Sequence, residues 1–137
     1  MEKIIYLIPA IGVIGLLFAL FLAMKINKHD PGTERMQEIS AAIHGGAKAF
    51  LFAEYKILVF FVLALFVAIG CCLSWPTAAS FLVGAAFSVG AGYFGMTVAT
   101  KANVRTAQAA AKGGMKKALS VAFSGGAVMG MSVVGLG

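Results

Sequence analysis

The residues best suited to chemistry follow a long uncharged run near the middle of the chain. Residues 80–99 carry no charged side chain, and the polar stretch from Thr100 to Thr106 comes directly after them. Asn103, Arg105 and Thr106 place amide, guanidinium and hydroxyl groups within about two helical turns of this boundary. A lipid-facing helix does not need so many hydrogen-bonding groups, so we expect a polar network. For Arg105 we predict a carboxylate or helix-terminal carbonyls as its partner, and the alternative is a charge that only sets membrane topology.

Carboxylates are too few and too scattered for a metal-dependent reaction centre. Asp30 is the only aspartate, and it stands alone in the turn His29-Asp30-Pro31-Gly32. Metal-assisted hydrolysis needs several carboxylates to hold Mg²⁺ and cationic groups to neutralise developing charge. The sequence therefore predicts no catalytic residue and no metal ligand.

The elements that position these residues are membrane helices. The chain is 61% hydrophobic and only 12% charged, against roughly 25% charged residues in soluble domains. About 20 apolar residues cross a hydrocarbon core of about 30 Å. Four segments meet this description and predict an all-α integral membrane protein, with spans at about 4–24, 57–73, 77–100 and 118–137.

The basic residues define the predicted topology. Ten of the eleven lie between the first and second spans or between the third and fourth. The positive-inside rule then places the N-terminus outside and both basic connections in the cytoplasm. Because this rule accounts for the net charge of +6, nucleic-acid binding is not favoured.

Small residues in the third and fourth spans predict close helix packing. Spacings of three or four residues between small side chains let helix backbones approach each other in lipid. The candidate packing positions are Gly84, Ser88, Gly92, Gly95, Gly126 and Gly130. A helix that is merely rich in glycine and alanine remains the alternative.

Two local signals define the second helix. Thr33 follows the turn at Pro31-Gly32, and no proline interrupts the chain from Thr33 to Leu73. We therefore expect a cytoplasmic extension that continues into the second span, rather than a separate helix on the membrane surface. The short connection at Trp75-Pro76 then requires an antiparallel hairpin between the second and third spans.

Three stretches resemble the N-terminal part of the membrane-bound, ion-pumping pyrophosphatases. The most specific is Gly92-Tyr93-Phe94-Gly95-Met96, followed by the segment from Ala99 to Ala110. The second consists of residues 34–39, 46–51 and 54–56, which resemble the first cytoplasmic segment of the family. The third consists of residues 121–123 and 126–130, which resemble its fourth helix. Ala53 departs from the pattern, since many relatives are expected to carry a basic residue there.

The resemblance implies a larger protein than these 137 residues. Members of that family are homodimers of long chains with about sixteen membrane helices, whose backbone hydrogen bonds are satisfied within each helix. They hydrolyse Mg²⁺-bound pyrophosphate at the cytoplasmic face and move protons or sodium ions outward, in some cases with K⁺ as an activator. We expect an N-terminal fragment of such a pump, truncated after Gly137, lying in the bilayer of a prokaryotic inner membrane and inactive alone.

Two other functions remain open from the residues alone. A small transporter subunit would need polar or ionisable groups within the membrane, and the four predicted spans contain no Asp, Glu, Lys, Arg or His. A non-enzymatic membrane scaffold fits the composition but leaves the stretch from Gly92 to Ala110 unexplained.

Overall fold

The computed structural model describes residues 2–136, with side chains from residue 7 onward, and its regular elements are three long α-helices. They are α1 (Glu2–Asn27), α2 (Glu34–Cys72) and α3 (Trp75–Leu136). Each is long and apolar enough to cross a membrane. The membrane-protein fold class predicted from composition is therefore confirmed.

The first connection is built by turn and capping residues. The backbone N–H of Gly32, which has a φ of +88°, donates to the Asp30 carboxylate at 2.9 Å. Thr33 then caps α2, because its hydroxyl accepts from the Met36 N–H at 3.4 Å. Such a cap satisfies one of the N–H groups that the first helical turn leaves without a partner. The predicted continuous helix, from the residue after Thr33 into the second span, is confirmed.

The second connection is a tight hairpin. The N–H of Leu73 closes α2 on the carbonyl of Ile69, and α3 begins two residues later at Trp75. The Trp75 ring lies over Gly70, where an added Cβ would come within 2.8 Å of it. Glycine is required here because the two helices approach each other closely at the turn.

Gly114 divides α3 into two arms, residues 75–113 (the N-arm) and 115–136 (the C-arm). Its φ of 72° and ψ of −177° lie in a backbone region that essentially only glycine occupies. The two arms fold back on each other, because Gly95 meets Met129, Ala102 meets Gly125, and Ala109 packs with Ala118 and Val121. The N-arm contains the predicted third span and the C-arm covers the fourth as far as Leu136, with the reversal between them.

The main core lies where α1 crosses the two arms of α3. It consists mostly of small and branched residues, namely Ala19, Leu22, Ala23, Ile26, Val98, Ala102 and Val128. Farther along, Gly12 of α1 approaches Gly135 so closely that a Cβ on Gly12 would lie 3.0 Å from the Gly135 carbonyl oxygen. The bulky apolar side chains, such as Phe52 and Phe60, point outward. This pattern suits lipid or further helices as the surroundings.

Candidate functional site

A cluster of polar groups lies where the α1–α2 connection meets the N-arm of α3, just beyond the uncharged run. We call this region the polar junction and define it by Asp30, Arg105, Gln108, Lys112 and the His29 carbonyl. The α3 side chains come from positions 105, 108 and 112, so three- and four-residue steps place them on one helix face.

Asp30 is the centre of the polar junction. Its Oδ2 accepts from Gln108 Nε2 at 3.1 Å and from Lys112 Nζ at 2.8 Å, while its Oδ1 accepts from the Gly32 N–H. These donors, Lys112 first, hold the pKa of Asp30 well below its usual range, because each of them stabilises the ionised carboxylate. All three partners of Asp30 are hydrogen-bond donors, and two of them belong to α3. The turn places it against a helix 78 residues further along the chain.

Arg105 connects the same two elements through backbone oxygens. Its Nε donates to the His29 carbonyl at 3.2 Å, and a terminal nitrogen donates to Lys101 O at 2.9 Å. The His29 carbonyl lies just past the end of α1, where helical carbonyls lack intrahelical partners and carry partial negative charge. The partner is thus a carbonyl of the connection rather than a carboxylate.

Among the residues that the structure describes, Asn103 and Thr106 form no hydrogen bond to another helix. Thr106 donates within its own helix, to Ala102 O at 2.9 Å. Asn103 is exposed and lines an apolar groove beside Met36 and Ile43 of α2. Gln108, in contrast, is only 6% exposed and joins Asp30 directly.

A second contact ties α2 to the N-arm. His44 Nδ1 lies 2.9 Å from Thr100 Oγ1, and that hydroxyl is also 3.0 Å from the carbonyls of Met96 and Thr97. A hydroxyl has one proton, so Thr100 donates either to a carbonyl of its own helix or to His44 Nδ1, and the other hydrogen bond depends on the tautomer of His44. No local sequence pattern predicts this contact, because the two residues are 56 positions apart.

The small residues proposed for helix packing have different surroundings. Gly95 is buried, and an added Cβ would lie 2.8 Å from Met129 Cγ. At Gly92 it would lie 3.1 Å from the hydroxyl of Tyr55, which donates to Val89 O at 3.0 Å. Gly84, Gly126 and Gly130 have no such neighbour within 4 Å in the described part of the chain, and Ser88 is exposed. A packing role at these four positions stays a prediction.

The polar junction can bind and orient, but its groups do not form a metal centre. Among the residues that the structure describes, no group of three or more His, Cys, Asp or Glu side chains could hold a metal ion. The oxygens of Asp30 are already shared among an ammonium, an amide and a backbone N–H. These hydrogen bonds and the ion pair attach the α1–α2 connection to α3, and so position the end of α1 and the start of α2.

Comparison with known proteins assigns the chain to a family. The family described as inorganic H⁺ pyrophosphatase matches residues 13–137. A Clostridium tetani protein, provisionally named a K(+)-stimulated pyrophosphate-energized sodium pump, is 57% identical over 96% of this chain and 19% of its own length. A K(+)-insensitive pyrophosphate-energized proton pump of Methanosarcina mazei is 44% identical over 99% of this chain and 20% of its own length.

A third relative, a K(+)-stimulated pyrophosphate-energized sodium pump of Thermotoga maritima, is 42% identical over 95% of this chain and 18% of its own length. The chain thus spans about a fifth of the length of the curated relatives it matches. The match includes both sides of the polar junction, from the α1–α2 connection to Lys112. The chain belongs to the inorganic H⁺ pyrophosphatase family.

Proposed function

We propose that these 137 residues are the N-terminal segment of a membrane pump that couples pyrophosphate hydrolysis to the transport of protons or sodium ions. The observation that carries this proposal is the family match over residues 13–137, together with relatives named as pyrophosphate-energised pumps. Three helices long and apolar enough to cross a membrane support the same conclusion.

Within such a pump, the segment acts as a scaffold at the cytoplasmic face. The polar junction and the contact between His44 and Thr100 hold the cytoplasmic ends of α1 and α2 on the N-arm of α3. Large apolar side chains on the outer faces of α1 and α2 then meet lipid or further helices of the pump. A sixteen-helix bundle and a homodimer are part of this proposal.

The proposal also includes Mg²⁺, the transported ion and K⁺. Mg²⁺ would be held by residues outside this chain, because the described residues do not fit a Mg²⁺ site. The relatives include both sodium and proton pumps, and both K⁺-stimulated and K⁺-insensitive proteins. The family match therefore does not identify the pumped ion or the effect of K⁺.

The proposed location is a cell membrane, with the N-terminus outside and the polar junction in the cytoplasm. The ten basic residues on one side of the spans support this orientation. Because Cys71 and Cys72 are free and exposed, both are first replaced by serine. In that background, a cysteine placed at Thr77 should react with a membrane-impermeant maleimide added to intact cells, and one placed at Lys112 should not. Reaction only at position 112 would overturn the orientation.

Pyrophosphate hydrolysis in isolated membranes tests the enzymatic part. Membranes from cells that express the complete gene product should release phosphate from Mg²⁺-pyrophosphate above the level of empty-vector membranes. Residues 1–137 expressed alone should release none, since the described residues lack the carboxylate cluster that phosphoryl transfer needs. Absence of activity with the complete product, despite its insertion in the membrane, would contradict the proposal.

A further inference from the structure

We propose that a cavity at the polar junction binds a phosphate group, supplied either by an anionic lipid or by free phosphate. The cavity has a volume of about 240 Å³. Lys28, Arg105, Lys112 and Lys117 line it, together with Asp30. This inference stands independently of the pumping function, because it rests on the charges and geometry of the cavity alone.

The cavity has a marked excess of positive charge. Four cationic side chains face one carboxylate, and Asp30 is already engaged by Lys112, Gln108 and the Gly32 N–H. In the described part of the chain, neither Lys28 nor Lys117 forms an ion pair. Positive charges concentrated around one cavity make the electrostatic potential there more positive, and such a potential attracts anions. The positive-inside rule explains which side of the membrane these residues occupy, but not their convergence on one cavity.

The cationic groups also present free donors. Arg105 uses its Nε and one terminal nitrogen on backbone oxygens, and its second terminal nitrogen has no acceptor among the described residues. The stem of Lys117 packs on Gly113, where an added Cβ would lie 2.5 Å from Lys117 Cδ. A guanidinium and ammonium groups around one space are the donors that bind phosphate oxygens most strongly.

The position of the cavity allows two sources for the phosphate group. Lys28 lies four residues past the apolar run of α1, about 6 Å along a helix, which is the depth of lipid headgroups. Lys112 lies twelve residues past Thr100, about 18 Å along the helix beyond the end of the predicted third span. A lipid phosphodiester would enter from the membrane side and free phosphate from the aqueous side.

Ligand-dependent heat stability of the complete gene product in detergent tests this proposal. One arm titrates inorganic phosphate at constant ionic strength, and the other titrates phosphatidylglycerol against phosphatidylcholine in mixed micelles. A ligand that binds the folded protein raises its unfolding temperature with concentration, and the curve gives an apparent Kd. Phosphate sites elsewhere in the protein contribute to every variant, so the difference between variants reports this cavity.

The decisive variant is Lys28→Gln/Lys117→Gln, and its matched control is Lys25→Gln/Lys116→Gln. The control removes the same charge from neighbouring exposed positions that do not line the cavity. Each lysine removed should raise the apparent Kd about fivefold, so the cavity variant should bind about 25-fold more weakly in one of the two titrations. The control should retain the wild-type affinity.

A response in the phosphate arm identifies free phosphate as the source, and a response in the phosphatidylglycerol arm identifies the lipid. If the double variant does not fold, Lys117→Gln alone should show the fivefold loss. Equal affinity of wild type and cavity variant in both arms, or an equal loss in the control, would overturn the proposal.

Discussion

Adding one methyl group at Gly95 tests whether the two arms of α3 pack as closely as the structure shows. A Cβ there would lie 2.8 Å from Met129 Cγ, 3.2 Å from its Cβ and 3.4 Å from its Cα. Carbon atoms pack best at about 3.5 to 4.0 Å, and the Met129 Cα belongs to the backbone. The arms must therefore move apart by several tenths of an ångström, and such overpacking costs about 1 to 3 kcal/mol.

Gly84→Ala is the matched control because it lies on the same arm with no neighbour within 4 Å in the described part of the chain. Both substitutions gain about 1 kcal/mol of helix propensity, so this gain cancels when they are compared. The difference between the two variants should then equal the overpacking cost, about 1 to 3 kcal/mol. Gly95→Leu, with its longer side chain, should be less stable still.

The assay is unfolding of the purified complete gene product in mixed micelles, followed by the fraction that elutes as folded protein after denaturant treatment. Gly95→Ala should unfold at lower denaturant than Gly84→Ala. Equal stability of Gly95→Ala and Gly84→Ala would refute the close packing of the two arms.

Three further predictions concern the polar junction and the turn between the arms. The pKa of Asp30 is lower in the folded protein than its unfolded-state value of about 3.9, so the ionised carboxylate stabilises the fold fully above that pH, and this stabilisation is lost as the pH falls below it. Asp30→Asn should therefore be less stable than wild type at pH 7. The difference in denaturant unfolding between the two proteins should shrink below about pH 4. Arg105→Lys keeps the charge but loses the fork that reaches His29 O and Lys101 O, so it should lower stability with topology intact, and wild-type stability in both Arg105→Lys and Arg105→Gln would leave only a topological charge. Gly114→Ala should cost about 1 to 3 kcal/mol through backbone strain, whereas Gly126→Ala, in a helical and open position, should not; equal unfolding midpoints would contradict the turn at Gly114.

The helices could be predicted from the sequence because their signals are local. The length of an apolar run identifies a membrane span, and Thr33 caps the helix that begins at the next residue. Trp75-Pro76 indicated the hairpin for the same reason, since the connection is too short for any other geometry. The turn at Gly114 could not be predicted, because a glycine in a lysine-rich connection can adopt either a negative or a positive φ.

The contacts of the polar junction could not be predicted in this way. Asp30 meets Gln108 and Lys112 only after α1 and α3 pack together, and no local pattern indicates a partner some 80 positions away. The small-residue stripes show the related problem, since spacing identifies a face of a helix but not its neighbour. Gly95 meets Met129, whereas Gly84, with the same kind of spacing, is open in the described part of the chain.

The most direct test of the proposed function is ion movement driven by pyrophosphate. Inverted membrane vesicles that contain the complete gene product should accumulate protons or sodium ions when Mg²⁺-pyrophosphate is added, as followed by a pH-sensitive dye and by ²²Na⁺ uptake. The matching ionophore should collapse the gradient, and empty-vector vesicles should show none. Pyrophosphate hydrolysis without accumulation of either ion, or no response to pyrophosphate in vesicles that contain the protein, would contradict the assignment to an ion pump.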